Sequence, residues 1–289
     1  MRAVKMWAAV LLLMLLSTAV QGQCPQQSLR IAVIPKKSMQ VLMLEFEPLL
    51  QRLRTALDMP VDIVAASSYE SVVDAIVSGG VDVAWLGPAS YILAYQRDPR
   101  IEPFASLTIS QGYFTPAGHH YQSLLLVRHQ GPSTLNALVG AKVALSDPAS
   151  TSGGVVPNGE FAAQVGMPLA RYFSSIVYTG AHDKSLDALL QGRVEAAFVS
   201  SVQADAYLNA GKISRDSLRV LWRSAPIFYD PYVFSGSLCP DLKARIRTAM
   251  LSESAALATF LASQHASGIM AVSHADYAPL LRIMWAPAP

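Results

Sequence analysis

Short β-branched runs alternate with helix-like segments over most of this chain, which restricts it to α/β architecture with largely parallel sheets. Residues 29–34, 61–65 and 81–86 read as strands, and 39–57, 69–78 and 88–96 as the helices between and after them. A second series follows, with strands predicted over 121–127, 142–145, 175–178 and 194–199 and helices over 151–165, 184–191 and 202–209. Strands over 218–222 and 232–235 then return the chain, and 240–264 is helical. Two similar α/β units without a low-complexity linker predict two Rossmann-like lobes facing one cleft. Residues 112–121 and 223–230, which lack clear periodicity, are the expected crossings. The expected division is 23–116 with 226–289 as lobe I, and 117–225 as lobe II.

Within this alternation, Asp147-Pro148-Ala149-Ser150-Thr151-Ser152-Gly153 ends a strand and opens a helix. It places three consecutive hydroxyls and unpaired N–H groups at a helix N-terminus, which favours an oxyanion. Gly180-Ala181-His182-Asp183 stands in the same position after the next strand, so His182 can reach the same crevice. Taken alone, Ser150 to Ser152 is also an ordinary capping sequence. The chain has no Gly-Lys-Ser/Thr phosphate loop and no Gly-x-Ser-x-Gly elbow. His119 and His120 are adjacent rather than spaced for a metal, and no catalytic pair is evident, so capture of an anion is expected without a metal, a cofactor or catalysis.

Residues 1–22 combine Arg2 and Lys5, an apolar run and a small-residue end, the pattern of a secretory signal peptide. A periplasmic location follows, with an uncleaved anchor as the alternative. Gln21-Gly22-Gln23 suits lipidation of Cys24 badly. Cys24 and Cys239 are the only cysteines, and in an oxidising compartment such a pair most simply forms a disulfide; two unpaired thiols are the alternative. Without the leader's Arg2 and Lys5, 20 Lys+Arg face 20 Asp+Glu. With no basic stripe, nucleic-acid binding has no electrostatic footprint.

Taken together, the residues resemble a known family. Asp147–Gly153 with Pro157, Gly180-Ala181-His182-Asp183, and Gly192-Arg193-Val194-Glu195-Ala196-Ala197 are similar to the periplasmic phosphate/phosphite/phosphonate-binding proteins of ABC transporters. So are Ser68-Tyr69-Glu70, the stretch from Gly80 to Tyr91, and Asp230-Pro231; the likeness runs from about Leu29 to Met250. It implies a type 2 periplasmic binding protein fold closing over a small phosphorus oxyanion. Ser150, Thr151, Ser152 and His182 would donate to the phosphoryl oxygens, with Tyr69 and Tyr121 as cleft tyrosines and Tyr113 as rival for the second. Asp230 would accept from a P–OH. Phosphorus oxyanions keep such a proton near neutral pH, their second pKa being about 6, whereas sulfate would leave the carboxylate facing an acceptor.

The resemblance implies delivery to a membrane permease, with a sensing subunit for a histidine kinase as the alternative and a secreted ester hydrolase as a further one. Longer relatives carry C-terminal helices used for self-association, whereas this chain ends at Pro289, so a monomer is expected. The aromatic and His-rich stretch 111–120 matches nothing in the family and is expected to narrow the pocket or touch a ligand substituent.

Overall fold

A computed structural model of the chain describes residues 24–285. The predicted leader, 1–22, lies outside the described residues. The first strand, β1 (Leu29–Val33), is apolar and buried apart from the partly exposed Arg30, as suits a parallel strand covered on both faces. It pairs in parallel with β2 (Val61–Val64) and with β3 (Val83–Trp85). Between β1 and β2 runs α1 (Met39–Leu57), whose start is capped by the Ser38 hydroxyl. Its Leu42, Phe46, Leu49, Leu50, Leu53 and Leu57 recur at helical spacing and are buried, each contributing roughly 1.5–3 kcal/mol of transfer free energy.

The helices α2 (Tyr69–Val77) and α3 (Pro88–Arg97) follow β2 and β3. Three further strands complete a six-stranded sheet: β4 (Glu102–Ile109), β12 (Pro231–Phe234) and β13 (Ala266–Ala271), in the order β13-β4-β12-β3-β1-β2. The second sheet contains β6 (Ser123–Arg128), β7 (Lys142–Leu145), β8 (Ser175–Tyr178), β9 (Ala196–Ser200) and β10 (Leu218–Arg223), in the order β10-β6-β9-β7-β8. In each sheet three parallel strands are extended by antiparallel ones, so the halves share one plan. This is the two-lobed fold of type 2 periplasmic binding proteins.

The two crossings are paired with each other. Strand β5 (His120–Tyr121) runs antiparallel to β11 (Ile227–Phe228), with Tyr121 opposite Ile227. The single strand expected over 121–127 is therefore interrupted at Gln122, where Tyr121 leaves the ribbon and the chain enters the second sheet. The helix expected over 240–264 is also two, α8 (Pro240–Leu251) and α9 (Ala255–Ser263), because Ser254 caps a new start by accepting from the Leu257 N–H. Strand β4 had no sequence signal: Glu102-Pro103 opens it, and Pro103 sits at the register shift against β12, where a missing N–H is tolerated.

Cys24 and Cys239 form a disulfide with a Cα–Cα distance of 5.7 Å. It ties the chain's first described residue to the N-cap of α8. Closing a loop of 215 residues removes roughly 5 kcal/mol of unfolded-chain entropy in the chain-entropy account. Replacing both cysteines by serine is expected to lower the denaturation midpoint by the equivalent of about 2–5 kcal/mol. Urea titrations of the double variant and of the reduced parent protein should then coincide; a midpoint unchanged by both treatments would show that the bridge contributes nothing.

Candidate functional site

Five helix starts converge on one narrow cavity lined by buried residues: those at Tyr69, Gly87, Ser150 to Ser152, His182, and Ser200 with Gln203. Each follows the carboxyl end of a parallel strand, where open α/β sheets place ligands. The last three helices, in chain order, are α4 (residues 151–165), α6 (His182–Leu190) and α7 (Ser201–Asn209), α5 being the single turn Leu169–Tyr172. Ile34 and Lys36 beyond β1, together with Tyr121, Tyr229 and Asp230, complete the lining. The centre of a water-sized sphere can occupy about 20 Å³ of this space, so the void admits a group of only a few heavy atoms.

Helix α4 opens with wide turns, the Val155 N–H bonding back five residues to the Ser150 carbonyl at 2.9 Å. Pro157 explains part of this, since it has no N–H to offer the preceding turn. The carbonyls left free are engaged from outside: Ser146 N–H donates to Gly153 O (2.9 Å) and Ser123 Oγ to Ser152 O (2.6 Å). Glycine is required at 153 because an added Cβ would collide with Ser146 and lie 2.9 Å from His182 Cε1. The helix start is thus pressed directly onto the histidine.

His182 is 4% exposed, and burial, reinforced by Lys36, lowers its pKa to about 3, so the ring is neutral. The Ser200 N–H approaches Nδ1 at 3.3 Å and must donate to it, which assigns Nδ1 as an acceptor and puts the proton on Nε2. Nε2 lies 3.4 Å from Ser150 Oγ. His182 therefore presents a neutral N–H donor to the cavity.

The two lobes meet around the cavity. Ala89 N–H donates to Thr151 Oγ1 (2.9 Å), Ser90 Oγ to the Ala149 carbonyl (2.8 Å), and Ser38 N–H to Asp183 Oδ2 (3.2 Å). Tyr69 Oη is buried with no hydrogen-bond partner among the described residues. Burial pushes the Tyr69, Tyr121 and Tyr229 phenols well above their ordinary range, so all three remain protonated donors.

Every residue singled out in the sequence lines this cavity: Tyr69, Tyr121, Ser150, Thr151, Ser152, His182 and Asp230. Tyr121 is 3% exposed and Tyr113 51%, so the rival tyrosine lies at the surface. The expectation that 111–120 narrows the pocket fails. No residue of that stretch lines the cavity, and Asp205 instead holds it against α7 by accepting from the N–H groups of Tyr113, Phe114 and Thr115 at 2.8–2.9 Å.

Lys36 was missed, and it changes the electrostatics. Its Nζ lies 3.2 Å from Asp230 Oδ2 and 3.4 Å from Tyr229 Oη. Burial lowers the Lys36 pKa to about 8 against the opposing pull of Asp230, and burial raises that of Asp230 against the pull of Lys36. Asp230 is thus not the isolated carboxylate the sequence suggested; Lys36 occupies Oδ2, while no hydrogen bond among the described residues engages Oδ1. Nothing in Ile34-Pro35-Lys36-Lys37 distinguishes a buried lysine from a solvated one. Tyr229 beside Asp230 was equally illegible, and Gln203 sits inside a helix without a motif.

Comparison with known proteins places these features in a family. The family described as "ABC transporter, phosphonate, periplasmic substrate-binding protein" matches residues 31–277. A phosphate-import protein of Mycolicibacterium smegmatis is 26% identical over 282 residues, covering 90% of this chain and 85% of its own. The phosphonates-binding periplasmic protein of Escherichia coli is 27% identical over 226 residues, or 76% of this chain, which spans 64% of that protein. Among solved structures, a binding component of an ABC phosphonate transporter from Pseudomonas aeruginosa superposes with a TM-score of 0.80 at 22% identity, covering 89% of this chain and 85% of that one. A Prochlorococcus marinus protein in complex with methylphosphonate gives 0.75 at 18%, covering 89% and 97%. At those identities the superpositions speak for the fold, and the family match carries the assignment: the chain belongs to the periplasmic substrate-binding proteins of phosphonate ABC transporters.

Proposed function

We propose that this protein captures a small phosphorus oxyanion (phosphate, phosphite or a small phosphonate) in the cavity between its lobes and delivers it to an ABC permease in the inner membrane. The observation that carries this reading is the convergence of five helix starts, three hydroxyls and a neutral histidine donor on one narrow, buried space. Each helix start favours a nearby anion by about 0.3–1 kcal/mol, and more when partly buried. Ser150 to Ser152, His182 Nε2–H and Tyr69 Oη–H donate to unprotonated oxygens, and Asp230 Oδ1 accepts from a P–OH. Residues 23–116 with 226–289 move as one lobe and 117–225 as the other, bending at the β5–β11 ribbon. The working unit in this reading is a monomer. In this reading the neutral donors Ser150 to Ser152, His182 and Tyr69 bind the ligand without turning it over.

A thermal-shift titration of ligand-stripped protein against phosphate, phosphite, methylphosphonate and sulfate tests this. A ligand at a hundredfold excess over its Kd adds about 2.7 kcal/mol of stability. At least one phosphorus oxyanion is expected to raise Tm, and sulfate is not. Asp230→Asn, which can donate from its amide where Asp230 could only accept, should shrink the preference over sulfate at least about tenfold. If sulfate raises Tm as much as the phosphorus ligands do, the role given to Asp230 is wrong.

The neutral histidine also sets a pH dependence. Folded His182 titrates near 3 and unfolded histidine near 6.5. The unfolded chain therefore binds more protons between those values. His182's contribution to stability is complete above pH 6.5 and is lost progressively as pH falls toward 3. In unliganded protein, His182→Gln is expected to flatten the decline of Tm over that window; parallel curves for the two proteins would show that the buried ring is not the cause.

A further inference from the structure

Lys36 is 4% exposed, and its ammonium is received by a specific set of groups. Asp230 Oδ2 accepts from it at 3.2 Å and Tyr229 Oη at 3.4 Å, while the face of Trp85 lies 3.4 Å from Nζ at the ring centroid. A carboxylate, a phenol and an indole face around one nitrogen is how proteins recognise a substituted ammonium. Trp85 is fixed in turn, stacked on Tyr232 at 5.3 Å and donating from Nε1 to the Asp230 carbonyl. Lys36, Tyr229 and Asp230 all line the anion cavity, so this ammonium niche opens directly into it.

We infer that Lys36 is a built-in ammonium that fills a substituent niche beside the phosphoryl site, so that the protein accepts unsubstituted or methyl-bearing phosphorus oxyanions and rejects those carrying an amino group of their own. This rests on the proposed capture of a phosphorus oxyanion and names the part of that ligand class admitted. An aminoalkyl ligand meets two obstacles. Its chain has little room, since the centre of a water-sized sphere ranges over only about 20 Å³ there, and its ammonium finds Asp230 already neutralised by a like charge. Without Lys36 both reverse, since the emptied niche retains its aromatic floor and an unpaired carboxylate. A ligand ammonium then takes the place of Nζ.

Isothermal titration of the wild type, Lys36→Ala and Lys36→Met with phosphate, phosphite, methylphosphonate and 2-aminoethylphosphonate tests this, with circular dichroism to establish folding. Wild type is expected to bind at least one of the first three roughly a hundredfold or more tightly than 2-aminoethylphosphonate. Lys36→Ala should lose most of that affinity and gain 2-aminoethylphosphonate, and added ethylammonium should restore its binding of the unsubstituted ligand saturably. Lys36→Met keeps the niche filled without charge and should show neither gain nor restoration. Wild type binding 2-aminoethylphosphonate as tightly as the others overturns the inference without recourse to any variant. So does a folded Lys36→Ala that loses every ligand and ignores ethylammonium, because Lys36 would then be a plain counter-charge to the anion. Wild type binding none of the four overturns the functional proposal itself, and this inference with it.

Discussion

The positive ends of five helices face one another across a space too small for bulk water. Such an arrangement is unfavourable unless something negative enters it, because the partial charges at the helix starts repel and their free N–H groups lack acceptors. The fold creates this problem by its own logic. Parallel strands send every following helix out from the same edge of a sheet, and two sheets set edge to edge bring both groups of helix starts together. The chain relieves part of the cost locally: Thr151 Oγ1 accepts from the first free N–H of α3, and Ser150 Oγ accepts from Gly153 N–H. The Tyr69 hydroxyl, buried without a hydrogen-bond partner among the described residues, is part of the cavity lining.

The parts of this arrangement legible in sequence are those in which local chemistry and position coincide. Ser150 to Ser152 announce a capped helix start, glycines at 153 and 154 allow close approach, and His182 occupies the equivalent position one strand later. Tyr69 follows Ser68, which closes a capping box with Ser71. Boundaries such as Met39–Leu57 are legible because an apolar stripe at helical spacing ends at a left-handed residue, Asp58. Lys36, Tyr229 and Gln203 are not legible, since their roles come from tertiary placement alone. Strand β4 was hidden for a different reason: it is buried on both faces and contains a proline, so it shows neither alternation nor a clean β-branched run.

The Lys36–Asp230 pair shows how far such placement alters chemistry. Taken alone, a buried carboxylate beside an anion demands a protonated ligand. With Lys36 on Oδ2, the pair is close to neutral and only Oδ1 retains that demand. Discrimination against a fully deprotonated tetrahedral anion therefore depends on the direction of one lone pair rather than on net charge. This is consistent with the balance of 20 Lys+Arg against 20 Asp+Glu outside residues 1–22, which provides no global field to select anions by sign. Selectivity has to be local.

In the proposed function, the position of Asp230 also links recognition to closure. Tyr121 ends β5, while Tyr229 and Asp230 follow β11 directly, so three lining residues sit on or beside the ribbon that joins the lobes. The remaining contacts come from helix starts belonging to both sheets, and some of them, such as Thr151 with Ala89, exist only while the lobes are together. A ligand can shift a two-state equilibrium only through its differential affinity for the two states. A ligand small enough to touch both rims and the ribbon at once has that differential, because in an open form it keeps the contacts of one lobe alone. A larger anion held by one rim would bind without closing the protein. The same small enclosure that limits ligand size thus makes closure conditional on the ligand that fits it.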